Sequence, residues 1–285
     1  MRPEPKSAVR TLDLVEALAR AQQGLTFTNL QQALNIPKSS LHELLAVLTS
    51  RGYLELDPAS GMYMLGIRIW ETGQAYRQHH DLVREAHPVM QSIVDVLNET
   101  VQLAVLDGIE NVYLAKIDCS HPIRLQSAVG KRLFAHATGL GKVLLASLPE
   151  RTLTARLGEQ PLPQFTDHTV TDPIVLMREL AVVRDRGFAV DNQEYTMGLR
   201  CIAVPIHDHR GQTVAAVSTS IPLMRLTTEQ LTLALRLLAE GSLEISRRLG
   251  AARDHEQLRR LADRPTEHLA RAEGITANPV PSLVG

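Results

Sequence analysis

Only two cysteines, Cys119 and Cys201, occur in 285 residues. They are too few for a disulfide framework and do not have zinc-site spacing, so a reducing cytoplasm is the expected compartment. No apolar run approaches the roughly 18 residues that a membrane span needs. The opening MRPEPKSAVR carries charge and two prolines with no apolar stretch behind it, unlike a secretory signal. An excess of positive charge is missing too: 30 Lys and Arg against 31 Asp and Glu leave a formal net charge of -1. Phosphate contacts come from clustered basic side chains, so any nucleic-acid footprint must be local. No internal repeat divides the chain.

What is present reads as globular. Hydrophobic residues make up 44% and charged residues 21%, close to the average of folded domains and away from disorder. The length suits two domains, each burying its own core. Ser7 precedes an apolar-periodic run with Val9, Leu12, Val15 and Leu18 that Gly24 closes. Thr28 and Gln31 have capping-box spacing for a second helix, and Pro37 opens a third that ends at Gly52. YLEL and MYML flank the turn-forming DPASG, which predicts a hairpin. Three helices followed by a hairpin are the order of a winged helix.

In the third helix a 100° wheel gathers Leu41, Leu44, Leu45 and Leu48 into one stripe and sets Ser39, Glu43, Ala46 and Ser50 opposite. The small residues allow close approach to a major groove, and Lys38, Ser39, Ser40 and His42 offer phosphate or base-edge contacts. Any amphipathic surface helix shows the same wheel. Glu43 opposes affinity for phosphates, unless it accepts from a cytosine amino group or pairs with Arg51 or Arg10.

Residues 65–98 read as helix that Pro88 should end or kink. TVQLAVLDG, NVYLAKID and IRLQSAVG supply three β-rich runs. Ser147 with Glu150 can box one helix, and Asp172-Pro173 starts another that Gly187 stops. FAVDNQ, RCIAVPIHD and TVAAVSTSI restore strands before Thr227 and Gln230 begin a helix running to about residue 250. An α+β second domain follows. The last 35 residues (251–285) begin as a charged stretch compatible with helix and end in ITANPVPSLVG, and a mobile tail is expected.

GLGK at 139–142 is not a Walker loop, because His136 and Val143 stand where a glycine and a Ser or Thr are needed. It is either a glycine turn feeding an anion-attracting helix N-terminus or a tight turn needing glycine for its backbone. Alternation puts Ser218 and Ser220 on one strand face and Val217, Thr219 and Ile221 on the other; Cys201 and Ala203 share a face similarly. Such serines suit a ligand pocket or face solvent. Cys201 has no resolving partner and reads as buried and structural, and His207 and His209 sit by a turn with no further ligand cluster, so no metal is expected. Ser218, His136 and Asp191 are possible catalytic types but fall in no nucleophile elbow or triad motif.

The stretch from Ser7 to Leu65, with PKSSLHELLAVLTSRGYLELDPASGMYMLG, resembles the N-terminal domain of the IclR (isocitrate lyase regulator) family of bacterial transcription factors. SAVGKRLFAHATGLGKVLLA and RGFAVDNQEYTMGLRCIAVPIHDHRGQTVAAVSTSIP resemble two segments of that family's effector domain, so the likeness covers about residues 7 to 250. It implies an α+β protein: a winged helix-turn-helix over 1–65, a linker helix over 66–85, and a GAF- or PAS-like effector domain with an antiparallel sheet over 86–250. By resemblance Lys38, Ser39, Ser40, His42, Glu43 and Ala46 face DNA, although the family usually has arginine where Glu43 stands. Leu125, Leu133, Gly139, Leu140, Asp191, Cys201, Ser218 and Ser220 line the effector site.

The expected function is a non-enzymatic regulator that binds double-stranded operator DNA as a homodimer or dimer of dimers. It needs no cofactor or membrane, and a small carboxylic or aromatic acid modulates it. An acid bearing a hydroxyl or amine would suit Asp191. The competing readings are a ligand-binding signalling module and a small-molecule hydrolase, both without specific DNA binding.

Overall fold

The computed structural model describes residues 5–21, 23–79, 82–122, 128–158, 161–251 and 255–276. The chain forms two compact units, divided after residue 80.

In the first unit α1 (Lys6–Arg20), α2 (Phe27–Leu34) and α3 (Lys38–Ser50) precede the hairpin of β2 (Leu54–Asp57) and β3 (Met62–Leu65). A two-residue strand, β1 (Leu25–Thr26), pairs with β3 and completes the sheet β1-β3-β2. Leu14, Leu18, Leu30, Ile36, Leu41, Leu45 and Leu54 form the core, so each helix gives up one apolar stripe, as its period requires. The hairpin turn is held by Asp57, whose carboxylate accepts from the N–H groups of Ala59 and Ser60. The second helix is capped two residues earlier than expected. Thr26, not Thr28, accepts from the Asn29 N–H at 3.3 Å, because β1 delivers the chain at Thr26 in extended conformation. Gly66 follows the wing where a Cβ would stand 2.3 Å from the Gly52 carbonyl oxygen, so only glycine fits that close approach.

The linker region contains α4 (Ile67–His79) and α5 (Leu82–Leu97), and the two residues between them lie outside the described residues. Pro88 does not end α5, which continues nine residues past it; the Pro88 carbonyl accepts from the Ser92 hydroxyl, and the apolar face of Ala86, Val89, Met90, Ile93 and Leu97 stays buried. That burial outweighs the loss of one internal N–H bond.

The second unit is built on a six-stranded antiparallel sheet ordered β6-β5-β4-β9-β8-β7. Its strands are β4 (Thr100–Asp107), β5 (Glu110–Ile117), β6 (Arg132–Phe134), β7 (Ala189–Asn192), β8 (Leu199–His207) and β9 (Thr213–Pro222). The third expected run, IRLQSAVG, begins outside the described residues, and the strand in this region is β6, nearer the GLGK turn. Val101, Leu103, Ile202, Val204, Val217 and Ile221 bury one face under α5 and α9 (Thr228–Arg248). Ala104, Tyr113, Ala203 and Ala216 bury the other under α6 (Gly139–Ala146), α7 (Glu150–Gly158) and α8 (Pro173–Arg186). Alternation thus serves both layers. The caps at Asp172 and Thr227 form as the spacing indicates, whereas Ser147 closes α6 by donating to the Leu144 carbonyl rather than boxing α7.

The expected mobile tail is corrected over 256–276. Helices α10 (Glu256–Asp263) and α11 (Pro265–Thr276) pack there, with Leu258, Leu261, Leu269 and Ala272 buried in the core shared with α9. Their i, i+3 spacing makes a stripe that a charge-rich composition hides.

Candidate functional site

Helix α3 exposes Lys38, Ser39, His42, Glu43 and Ala46, leaves Ser40 half-buried, and turns Leu41, Leu45 and Leu48 inward. The face expected to read DNA is therefore the free face. No side chain caps its N-terminus, so its first-turn N–H groups are open to an outside acceptor. The His42 ring lies 4.4 Å from that of Phe27 on α2, which orients it. Among the described residues Glu43 forms no ion pair, with Arg10, Arg51 or any other cation.

In the second unit the antiparallel register gathers residues far apart in sequence. Asp191 on β7 is opposite Cys201 on β8, Cys201 is opposite Ser220 on β9, and Ser218 is opposite Gln102 on β4. These residues face the α6 layer, and above them lies a cavity with about 550 Å³ of atom-free space that includes its opening to solvent. Of the eight residues expected to hold an effector, Leu133, Gly139, Leu140, Asp191, Cys201, Ser218 and Ser220 all line it. Leu125 lies outside the described residues. The serines are not on a wet face, being 1% and 3% exposed.

The cavity has a hydroxyl-rich floor and a helix terminus at its edge. Gln102 Oε1 accepts from the hydroxyls of Ser218 and Ser220, and Cys201 Sγ lies 3.1 Å from Ser220 Oγ. Thr138 caps α6 by accepting from the Gly141 N–H at 3.1 Å, and the Lys142 N–H reaches the Thr138 carbonyl. Gly139 and Leu140 then carry the first-turn N–H groups without helix-internal acceptors. The two glycines differ in role. A Cβ on Gly141 would stand 2.2 Å from the Ala135 backbone, whereas one on Gly139 would meet only ordinary contacts.

Burial dominates the electrostatics. It raises Asp191, with help from the Glu194 charge, to a pKa of about 7. It pushes the Cys201 thiol and the Tyr113 phenol upward, so both remain protonated at neutral pH. Cys201 is therefore no thiolate poised for redox chemistry. Lys142, the last residue of the GLGK turn, is wholly buried; burial alone would lower its pKa, but Glu194 and Glu179 outweigh that and the net shift is upward. Its Nζ lies 2.5 Å from both Glu194 oxygens and 2.7 Å from Glu179 Oε1. His136 is absent from the cavity lining and bonds the Pro163 carbonyl, so Ser218, His136 and Asp191 assemble no triad.

Gln102, Tyr113, Thr138, Tyr195 and Leu199 also line the cavity and were not expected. Gln102 alone left a signal, an amide among apolar alternates in TVQLAVLDG.

Comparison with known proteins finds two domain matches. Residues 7–58 match the IclR helix-turn-helix domain and residues 74–247 match the bacterial transcriptional regulator IclR C-terminal domain. The chain is 35% identical over 237 residues to the HTH-type transcriptional regulator BhcR of Paracoccus denitrificans, covering 83% of this chain and 85% of that protein. It is 31% identical over 229 residues to the transcriptional repressor IclR of Escherichia coli, covering 80% and 84%. The crystal structure of the Thermotoga maritima IclR superposes with a TM-score of 0.70 at 31% identity, over 86% of this chain and 99% of that one. An IclR homolog from Microbacterium hydrocarbonoxydans, complexed with 4-hydroxybenzoate, gives 0.77 at 27% identity, over 86% and 100%.

Proposed function

The chain belongs to the IclR family of DNA-binding transcriptional regulators with an effector-binding C-terminal domain, and from that premise we propose that the cavity over β4, β7, β8 and β9 senses a small carboxylic or aromatic acid. It is a regulator, not an enzyme, as its relatives are. The observation that carries the effector reading is that the α6 N-terminus at Gly139 and Leu140 and the buried hydroxyls of Ser218 and Ser220 line one largely apolar cavity. Helix N-termini attract anions, and Leu133, Leu140 and Leu199 supply an apolar wall. The 4-hydroxybenzoate in the Microbacterium homolog supports an aromatic acid among the candidates.

On this reading Lys38, Ser39, Ser40, His42 and Ala46 face operator DNA, with Glu43 setting base preference rather than affinity. The protein acts in the cytoplasm as a homodimer or dimer of dimers, because paired recognition helices match paired half-sites. Effector binding favours one arrangement of the paired sensing domains, and residues 66–85 relay it.

Fluorescence anisotropy on the protein's own promoter fragment and a scrambled duplex, with and without an acid panel, tests this. Promoter-selective binding altered by an acid is expected; no promoter preference under any condition overturns it. The double variant Ser218→Ala/Ser220→Ala is expected to weaken acid binding by about tenfold or more and abolish the response, with promoter affinity unchanged. Lys38→Ala/Ser39→Ala is expected to do the reverse, weakening promoter binding about tenfold while calorimetric acid binding holds.

A further inference from the structure

The floor of the cavity has a direction. Gln102 is 1% exposed and its Oε1 stands 3.4 Å from Ser218 Oγ and 3.2 Å from Ser220 Oγ. A carbonyl oxygen has two lone pairs and no proton, so both hydroxyls must donate to it. Ser220 then has lone pairs to offer the Cys201 thiol at 3.1 Å, and that thiol, which also bonds the Asp191 side chain, remains protonated. The protons of Ser218 and Ser220 thus both point toward one amide oxygen. What the two serines turn to the cavity is acceptor lone pairs. A carboxylate placed here would meet lone pair with lone pair.

We infer that Gln102 is the positioning residue that fixes the donor and acceptor pattern of this cavity, so that its β9 end takes a hydrogen-bond donor, a hydroxyl or amine, and not a carboxylate. This rests on the cavity being the sensing site. The effector's carboxylate goes to the α6 N-terminus and its second polar group to the serines, so the site selects hydroxy or amino acids over their unsubstituted counterparts. Without the Gln102 oxygen the hydroxyls rotate freely and can donate to either kind of group.

The test uses the full-length protein and matched acids: 4-hydroxybenzoate with benzoate, lactate with propionate, glycolate with acetate. Titration calorimetry is expected to show at least one hydroxy acid binding about tenfold or more tighter than its partner, the cost of leaving buried acceptors unmet. Gln102→Leu is expected to bring that ratio close to one. Gln102→Glu keeps an acceptor oxygen and is expected to preserve it, which a merely structural role would not predict. Equal binding within every pair by the unaltered protein overturns the inference, and so does a ratio that Gln102→Leu leaves intact.

A second readout needs no ligand. The Cys201 S–H stretch, assigned by subtracting the infrared spectrum of Cys201→Ser, is expected to lie where a donating thiol absorbs, to shift in Gln102→Leu as Ser220 turns to donate to sulfur, and to hold in Gln102→Glu. An unshifted band in Gln102→Leu overturns the positioning role. Failure of every acid to bind, with that shift observed, removes the proposed ligand class and leaves the orientation of the serines supported.

Discussion

Lys142→Met is expected to lower the stability of the C-terminal unit by about 3–5 kcal/mol. The ammonium is wholly buried and compensates Glu194, whose side chain is only 8% exposed. Removing it leaves a carboxylate in low dielectric without a counter-charge, which costs more than the ion pair itself contributes. Glu179 is 28% exposed and can turn to water, so most of the penalty falls on Glu194. The deficit must also depend on pH. Burial already raises the pKa of Glu194 against the opposing pull of Lys142, and losing that pull raises it further. A carboxyl with a raised folded pKa contributes stability that is present in acid and lost as pH rises through that pKa. The variant should thus approach the parent at low pH and fall away at high pH. Calorimetric unfolding at several pH values measures this, and Lys142→Met/Glu194→Gln, which removes the pair together, is expected to recover much of the loss. A single variant as stable as the parent at high pH would show that the ion pair is dispensable.

The same lysine marks a limit of the sequence. GLGK was legible as a helix start and as no nucleotide loop, but the partners of Lys142 lie 37 and 52 residues away, and nothing local points to them. The winged helix was legible because punctuation is local: Pro37, the DPASG turn and the leucine stripe of α3 each act within a few residues. The slip of Thr28 for Thr26 arose because β1 is only two residues long, and the first helix starts at Lys6, ahead of the expected Ser7, and stops at Arg20, short of Gly24. In the cavity, alternation separated Ser218 and Ser220 from Val217 and Ile221 without any knowledge of pairing. Gln102 needed the pairing itself. It meets Ser218 only through a register spanning 116 residues, next to a bulge between Leu103 and Ala104. Tyr195 stands on the loop after β7, where no periodicity helps.

Acid binding is expected to weaken as pH rises past about 7, and Asp191→Asn is expected to flatten that profile. Asp191 lines the cavity, and burial with the neighbouring Glu194 charge holds its pKa at about 7. Below that value it is neutral and can donate; above it, an anionic effector must enter beside a second negative charge. If ionised Asp191 excluded the ligand entirely, affinity would fall about tenfold per pH unit above the pKa. Calorimetric titrations of an acid that binds, at about pH 6 and about pH 8.5, measure the slope and its loss in the variant. The unliganded protein should show the same titration. From the ordinary aspartate value of 3.8 up to about 7 the folded chain keeps a proton that the unfolded chain has released. The stability this contributes is complete below the unfolded pKa and disappears as pH rises through the folded one. Asp191→Asn should therefore gain stability relative to the parent as pH climbs through neutrality. An affinity slope that survives in Asp191→Asn would assign the pH dependence to another group, while a relative stability gain without an affinity slope would keep the raised pKa and place the effector's carboxylate beyond the reach of Asp191.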